Sequence, residues 1–211
     1  MENILVVGAT GTTGKKVVNL LKASQYFEPI AMVRKESQIP QFEAQKVKTV
    51  LGNLEEDIAH TMKDIDKVVF TAGSGGKKVI EVDQEGAKKM VDASRKASLK
   101  KFIMLSSMGA DSPEKASELQ EYLKAKHNAD EYLKSNNIPY TIIRPGSLTN
   151  EKGEGKITLE KSLTEQGSIS RDDVAQVLTR VLHDDALQNK TVEIISGNTL
   201  IGKALDSVSA K

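Results

Sequence analysis

The chain has 211 residues, enough for one domain with a sizeable core, and its 30 basic and 29 acidic side chains nearly cancel. No net field therefore draws it toward nucleic acid or acidic lipid, and the absence of cysteine excludes disulfides and thiolate metal sites. Three histidines, His60, His127 and His183, lie far apart without ligand spacing, which argues against a metal centre.

The first strand is expected at residues 4–7, a short run of mostly branched apolar side chains like a strand buried on both faces of a parallel sheet. Glycines Gly8, Gly11 and Gly14 follow at once, with Thr10, Thr12 and Thr13 between them. An apolar helical stripe then runs through Val17, Val18, Leu20 and Leu21. A strand, a glycine turn and a helix N-terminus make an anion cradle. The backbone can approach a pyrophosphate where no Cβ intervenes, and the free N–H groups and helix dipole favour negative charge. Two other readings compete. A tight turn packed by glycines needs no ligand. A nucleotide-hydrolysing P-loop, which residues 9–15 would open, needs a Ser or Thr next as a magnesium ligand, and Lys16 stands there.

Further strands are expected at 29–33, 47–51, 67–72, 102–106, 140–144 and 191–195. Helical patterns cover 15–24, 79–97 and 113–135, while the linker 38–45 has room for a helical turn or two. A polar stretch at 149–155 precedes a strand-like 156–159, and a helix is announced by Ser170-Arg-Asp-Asp173 in capping-box form. Strands alternating with helices predict an α/β fold with a doubly wound, mostly parallel sheet covered on both faces. The expected organisation is one Rossmann domain over residues 1–211, with a small substrate-side segment at about 147–170. No apolar run approaches a membrane span, and a strand starting near residue 3 leaves no room for a signal peptide, so the cytoplasm is the expected compartment.

The end of the second strand discriminates between dinucleotides. An NAD site usually carries a carboxylate there, about 20 residues past the glycines, to bond the ribose 2′-hydroxyl. This strand instead ends at Arg34 and Lys35, where a guanidinium can grip a 2′-phosphate and a second cation adds charge. A solvated loop would explain Arg34 as well, but together with the glycine turn the pattern favours NADP(H) over NAD(H). Gly52, Asn53 and Leu54 after the third strand suit the adenine edge. The small residues Thr71, Ala72, Gly73 and Ser74 after the fourth let a loop lie against a ribose. Ordinary turn chemistry explains both loops as well.

At 100° per residue, Leu119, Tyr122, Lys126, Ala129 and Leu133 share one stripe of the helix expected over 113–135. A lysine four residues from a tyrosine on an inward face can stabilise phenolate and make the phenol a general acid. The other reading is an amphipathic Tyr beside a snorkelling Lys.

The ordered set Gly8-Ala-Thr-Gly-Thr-Thr-Gly14, Ser106-Ser107-Met-Gly-Ala-Asp111, the Tyr122/Lys126 pair, Tyr140-Thr-Ile-Ile-Arg-Pro-Gly146 and Ile169-Ser-Arg-Asp-Asp-Val-Ala175 resembles the atypical short-chain dehydrogenase/reductases. The similarity is to their small NAD(P)H-binding subgroup, with NmrA-like and biliverdin-IXβ-reductase-like proteins, over about residues 2–205. The resemblance implies a Rossmann fold, a dinucleotide site, and Pro145 and Gly146 near the nicotinamide. Ser106 is also expected in cofactor binding, and Lys126 can hold the nicotinamide ribose. Many relatives carry a catalytic hydroxyl one residue beyond the paired serines, where this chain has Met108, so Ser107 becomes the expected orienting hydroxyl and Ser106 the fallback.

The expectation is an NADP(H)-dependent oxidoreductase that transfers hydride to a small carbonyl or conjugated substrate, as a monomer or small homo-oligomer. In it Tyr122 donates the proton, Lys126 tunes it and Ser107 orients the oxygen. The alternative is a non-catalytic NADP(H)-sensing regulator that binds a partner.

Overall fold

In the computed structural model, which describes residues 1–209, the glycine turn joins strand β1 (Glu2–Val7) to helix α1 (Thr12–Lys22). The chain continues through β2 (Phe27–Val33), the short α2 (Pro40–Glu43), β3 (Lys48–Leu51) and β4 (Lys67–Phe70). Then come α3 (Ala87–Lys96), β5 (Lys101–Leu105), α4 (Gln120–Ser135) and β6 (Tyr140–Pro145). The last part holds β7 (Ser147–Thr149), β8 (Lys156–Glu160), β9 (Ser168–Ser170), α5 (Arg171–Arg180), β10 (Lys190–Ser196), β11 (Thr199–Leu200) and α6 (Ile201–Ser209).

Nine strands form one sheet in the order β3-β2-β1-β4-β5-β6-β10-β8-β11. The pairs from β3 to β10 are parallel, and β8 and β11 pair antiparallel at the far edge. Alternation along each strand supplies both faces. Ile4, Val6, Val69 and Ile103 pack on one face with Val17, Val18 and Leu21 of α1 and with Val174 and Leu178 of α5. Leu5, Val7, Val68, Phe70 and Phe102 pack on the other with Met90 and Val91 of α3 and Ala129 and Leu133 of α4. Each such side chain taken fully out of water contributes about 1.5–3 kcal/mol, so the sandwich is held from both sides. Among the described residues no helix is long and apolar enough to cross a membrane.

β1 pairs with β2 on one side and β4 on the other. The strand order therefore reverses between β1 and β4, and the loops at their C-terminal ends diverge to leave a crevice.

The two long helical expectations need correction. The segment 79–97 is not one α-helix: Val79–Gly86 is wound as a π-helix and only Ala87–Lys96 is α-helical. Loop partners hold the wide part. Asp83 Oδ2 accepts the Ser74 N–H at 3.0 Å, and Gly86 sits so close to Leu54 that an added Cβ would be 2.9 Å from the Leu54 Cβ. The segment 113–135 is likewise broken, into a 3-10 turn at Pro113–Lys115 and α4. Ala116 is extended, and Leu119 takes a left-handed conformation (φ 57°) with 70% of its surface exposed, so it leaves the inward stripe assigned to it. Within 147–170, β8 joins the main sheet, while β7 and β9 form a separate parallel pair.

Candidate functional site

A cleft of about 230 Å³ opens at the crevice between β1 and β4. Its walls include Gly8, Thr10 and Gly11 of the glycine turn, Arg34 beyond β2, Gly52, Asn53 and Leu54 beyond β3, and Thr71, Ala72 and Gly73 beyond β4. Four groups chosen from scattered parts of the sequence thus meet in one place. Val7, Met32, Gln38 and Val82 also line it and were not anticipated.

The turn is built for close approach. Gly8 has φ 86°, and a Cβ there would sit 2.6 Å from the Ala72 backbone nitrogen, so the turns after β1 and β4 touch through backbone alone. The Thr71 hydroxyl donates to the Val7 carbonyl at 2.9 Å and ties the same two turns. Gly14 lets α1 lie on the turn, since a Cβ would fall 2.1 Å from the Gly8 carbonyl oxygen. Gly11 is less constrained, at 3.2 Å from the same oxygen. As the residue preceding α1 it has no side chain to cap the helix, and no acidic residue stands in the first turn. The N-terminal N–H groups and dipole of α1 therefore meet no side-chain counter-charge of their own, an arrangement suited to a pyrophosphate. Thr12 is exposed at the helix start and Thr13 is buried beneath it. Lys16, which displaced the P-loop reading, bonds Asp172 at 2.6 Å and links α1 to α5. That lysine holds the Asp172 carboxyl below its usual range.

Arg34 is the only charged side chain among the lining residues, and none of them carries a carboxylate. Lys35 is exposed on the same loop. Asn53, expected as an adenine-reading amide, is also engaged by its own loop. Its Nδ2 donates to Glu56 at 3.0 Å and its Oδ1 accepts the Glu55 N–H at 3.2 Å, an Asx turn that uses one donor and one lone pair. Ser74 has a buried hydroxyl with no hydrogen-bond partner and does not line the cleft. Gln38 occupies the third position of the turn after Lys35, and with a lysine in the N-cap place the sequence carries no capping-box signature for it.

α4 carries Tyr122 half-buried and Lys126 buried, with Lys124 on the exposed side. The Lys126 ammonium lies 5.5 Å from the Tyr122 ring centroid, which juxtaposes the expected pair. Its charge also faces Asp83, with Nζ 3.4 Å from Oδ1 and both side chains at most 4% exposed. Asp83 was not anticipated, although a carboxylate in register with Ala87 and Met90 on an otherwise apolar stripe is the signal for it.

The two serines after β5 differ. Ser106 is buried, and its hydroxyl donates to Asp130 Oδ2 at 2.9 Å. Asp130 also accepts the Arg144 Nε–H at 3.0 Å, and Nη2 of the same guanidinium lies 2.9 Å from it as an ion pair. Burial pushes the Asp130 carboxyl above its usual range, against the opposing pull of Arg144 and Ser106. Ser107 is half-buried, and its Oγ donates to the Met108 carbonyl at 3.2 Å. The Met108 N–H in turn bonds the Pro145 carbonyl at 3.0 Å, so the loop after β5 is stitched to the end of β6. Gly146 is a packing glycine: a Cβ would lie 2.2 Å from the Gly167 carbonyl oxygen. Ser107, Tyr122, Lys126, Pro145 and Gly146 do not line the cleft described above.

Ser170 caps α5 by accepting the Asp173 N–H at 3.0 Å. The Asp173 carboxylate does not complete a capping box. It accepts the Ser170 hydroxyl and the N–H groups of Glu154 and Gly155, while Asp172 accepts that of Gly153. The polar stretch before β8 is thus pinned to the start of α5.

Comparison with known proteins places the fold in a family. The chain is 41% identical over 210 residues to the Bacillus subtilis protein YhfK, named an uncharacterized sugar epimerase, covering 96% of this chain and 98% of that one. A Bacillus halodurans structure named as a candidate NAD-dependent epimerase/dehydratase superposes with a TM-score of 0.94 at 39% identity, covering 98% of this chain and all of that one. The oxidoreductase ylbE from Lactococcus lactis superposes with a TM-score of 0.89 at 34% identity, covering 99% and 97% of the two chains. The family model described as NAD(P)H-binding matches residues 8–185, and the chain belongs to that family of Rossmann-fold, oxidoreductase-like proteins.

Proposed function

We propose that the protein uses NADP(H) and reduces a small carbonyl or conjugated substrate by hydride transfer. The observation that carries the cofactor reading is the cleft wall: the glycine turn and Arg34 share it, and no residue lining it carries a carboxylate. A guanidinium there suits the dianionic 2′-phosphate through paired, charge-assisted bonds. Gly8, Gly11 and the start of α1 would hold the pyrophosphate, and Thr71 to Ser74 would flank the ribose beyond it.

A dinucleotide held there would supply hydride for the substrate carbon. Tyr122 gives its phenolic proton to the substrate oxygen, so a carbonyl leaves as an alcohol, and the phenolate regains a proton from water. Lys126, beside the Tyr122 ring, stabilises the phenolate and holds the ribose. Ser107 orients the oxygen, once its hydroxyl turns from the Met108 carbonyl.

The test is calorimetric titration of both reduced cofactors. NADPH should bind at least about tenfold tighter than NADH, since a charge-assisted contact contributes about 1.5–3 kcal/mol. Arg34→Glu should abolish or invert that ratio. Equal affinities in the unaltered protein defeat the reading.

Specific observations favour a second reading, an NADP(H)-binding sensor without turnover. Met108 replaces a hydroxyl in the serine loop, and the cleft does not reach Tyr122. A broad panel of carbonyls and quinones separates the two, because the sensor reading expects no turnover above background.

A further inference from the structure

Past β2 the chain folds back on itself through one side chain. Gln38 Oε1 accepts the N–H of Arg34 at 2.9 Å and the N–H of Lys35 at 3.0 Å. Two successive backbone N–H groups converging on one oxygen form an electropositive nest, in which an anionic oxygen is the strongest partner. A glutamate here would make the same two bonds, charge-assisted and about twice as strong. Glu and Gln are both ordinary at this position of a capping turn, so local folding alone would be served at least as well by the acid. The chain has the neutral amide.

That choice acquires a meaning from where Gln38 lies. It lines the dinucleotide cleft together with Arg34. A carboxylate beside that guanidinium would pair with it and would repel a bound phosphate. The carboxamide holds the loop in the same geometry with no charge. With its oxygen committed to two backbone groups, it has only N–H donors left to offer.

The geometry points to Gln38 as a specificity-determining residue for the cofactor: it fixes the Arg34 loop without a counter-charge and presents donors to the phosphate on the adenosine ribose. This rests on the NADP(H) reading above. The dinucleotide that lacks this phosphate gains nothing from either feature.

The experiment measures dissociation constants of NADPH and NADH on the intact protein, on Gln38→Glu and on Arg34→Ala. Adenosine 2′,5′-bisphosphate and 5′-AMP serve as probes that lack the nicotinamide. Gln38→Glu keeps the two loop bonds, so its melting temperature should match or exceed that of the unaltered protein. It should bind NADPH and the bisphosphate about tenfold or more weakly, the scale of one charge-assisted contact, with NADH and 5′-AMP weakened by less than about threefold. If the intact protein prefers NADPH and Gln38→Glu retains the same preference, the role given to Gln38 is overturned while that of Arg34 stands. If the intact protein shows no preference, the NADP(H) reading falls first and this inference falls with it. Arg34→Ala distinguishes the two, because it should lose the preference whether or not Gln38 contributes.

Discussion

Lys126 and Asp83 face each other in the interior, Nζ 3.4 Å from Oδ1, on two elements far apart in the chain. The Asp83 carboxylate also receives the Ser74 N–H, so one buried acid joins the loop after β4 to the helix that carries Tyr122. Removing one partner of a buried pair leaves a charge without compensation, at a cost of about 3–5 kcal/mol. Asp83→Asn should therefore lower the urea midpoint markedly, and Asp83→Asn combined with Lys126→Met should recover much of the loss. Additive losses in that double-variant cycle would show that the two groups do not interact.

Gly14 and Gly11 of the first turn have different jobs and should fail differently. Gly14→Ala forces a Cβ onto the Gly8 carbonyl at 2.1 Å, so it should destabilise the fold by about 3 kcal/mol. Gly11→Val meets the same oxygen at 3.2 Å and keeps an extended backbone, so circular dichroism should report a folded protein. Its side chain would stand over the start of α1, and dinucleotide affinity should drop by at least about tenfold, through contacts of the kind a pyrophosphate makes there. Undiminished affinity in folded Gly11→Val would restrict the glycines to packing.

Tyr122→Phe tests the chemistry by itself. The ring and its packing against Lys126 remain, and only the hydroxyl goes. Affinity for NADPH should stay within a few-fold while turnover of an accepted carbonyl or quinone falls by roughly 10²–10⁴, the range of general acid catalysis. Reduction at the unaltered rate would move the proton source to Ser107 or to water.

Lys101 gives a pH signature at the N-terminal end of β5, away from the cleft. It is 1% exposed, and its ammonium donates to the carbonyls of His183 and Ala186 at 2.8 and 2.6 Å, closing the turn after α5. Burial, and then the neighbouring Lys67, push its pKa down from 10.5 to about 8. The folded state thus releases this proton at lower pH than the unfolded chain does. Below pH 8 both states are charged and the burial penalty is fully felt; between about 8 and 10.5 the unfolded chain holds more protons, and the contribution to stability rises with pH. The neutral amine still has two N–H groups for its two carbonyls. Urea midpoints should show the unaltered protein gaining on Lys101→Met from pH 8 to 10. A constant difference across that window would contradict the shift.

Much of the architecture was written locally. Residues 4–7 show an unbroken apolar run because both faces of β1 are covered, and the glycines after it announce the turn because only a missing Cβ allows Gly8 against Ala72. Alternating strands and helices then determine a parallel sheet, and a sheet of that order places the cleft at its switch point. Arg34 was legible because it ends a strand at a known distance from those glycines. What the tertiary structure decided was which polar groups become partners. Asp83 wound into a π-helix, Asn53 was turned into its own loop, Ser106 was drawn inward to Asp130, and Asp173 held Glu154 and Gly155 in place of completing its box. Hydrophobic period is a property of neighbours along the chain. The partner of a buried charge or hydroxyl is whichever group the packing of distant elements brings within about 3 Å, and no local pattern carries that information.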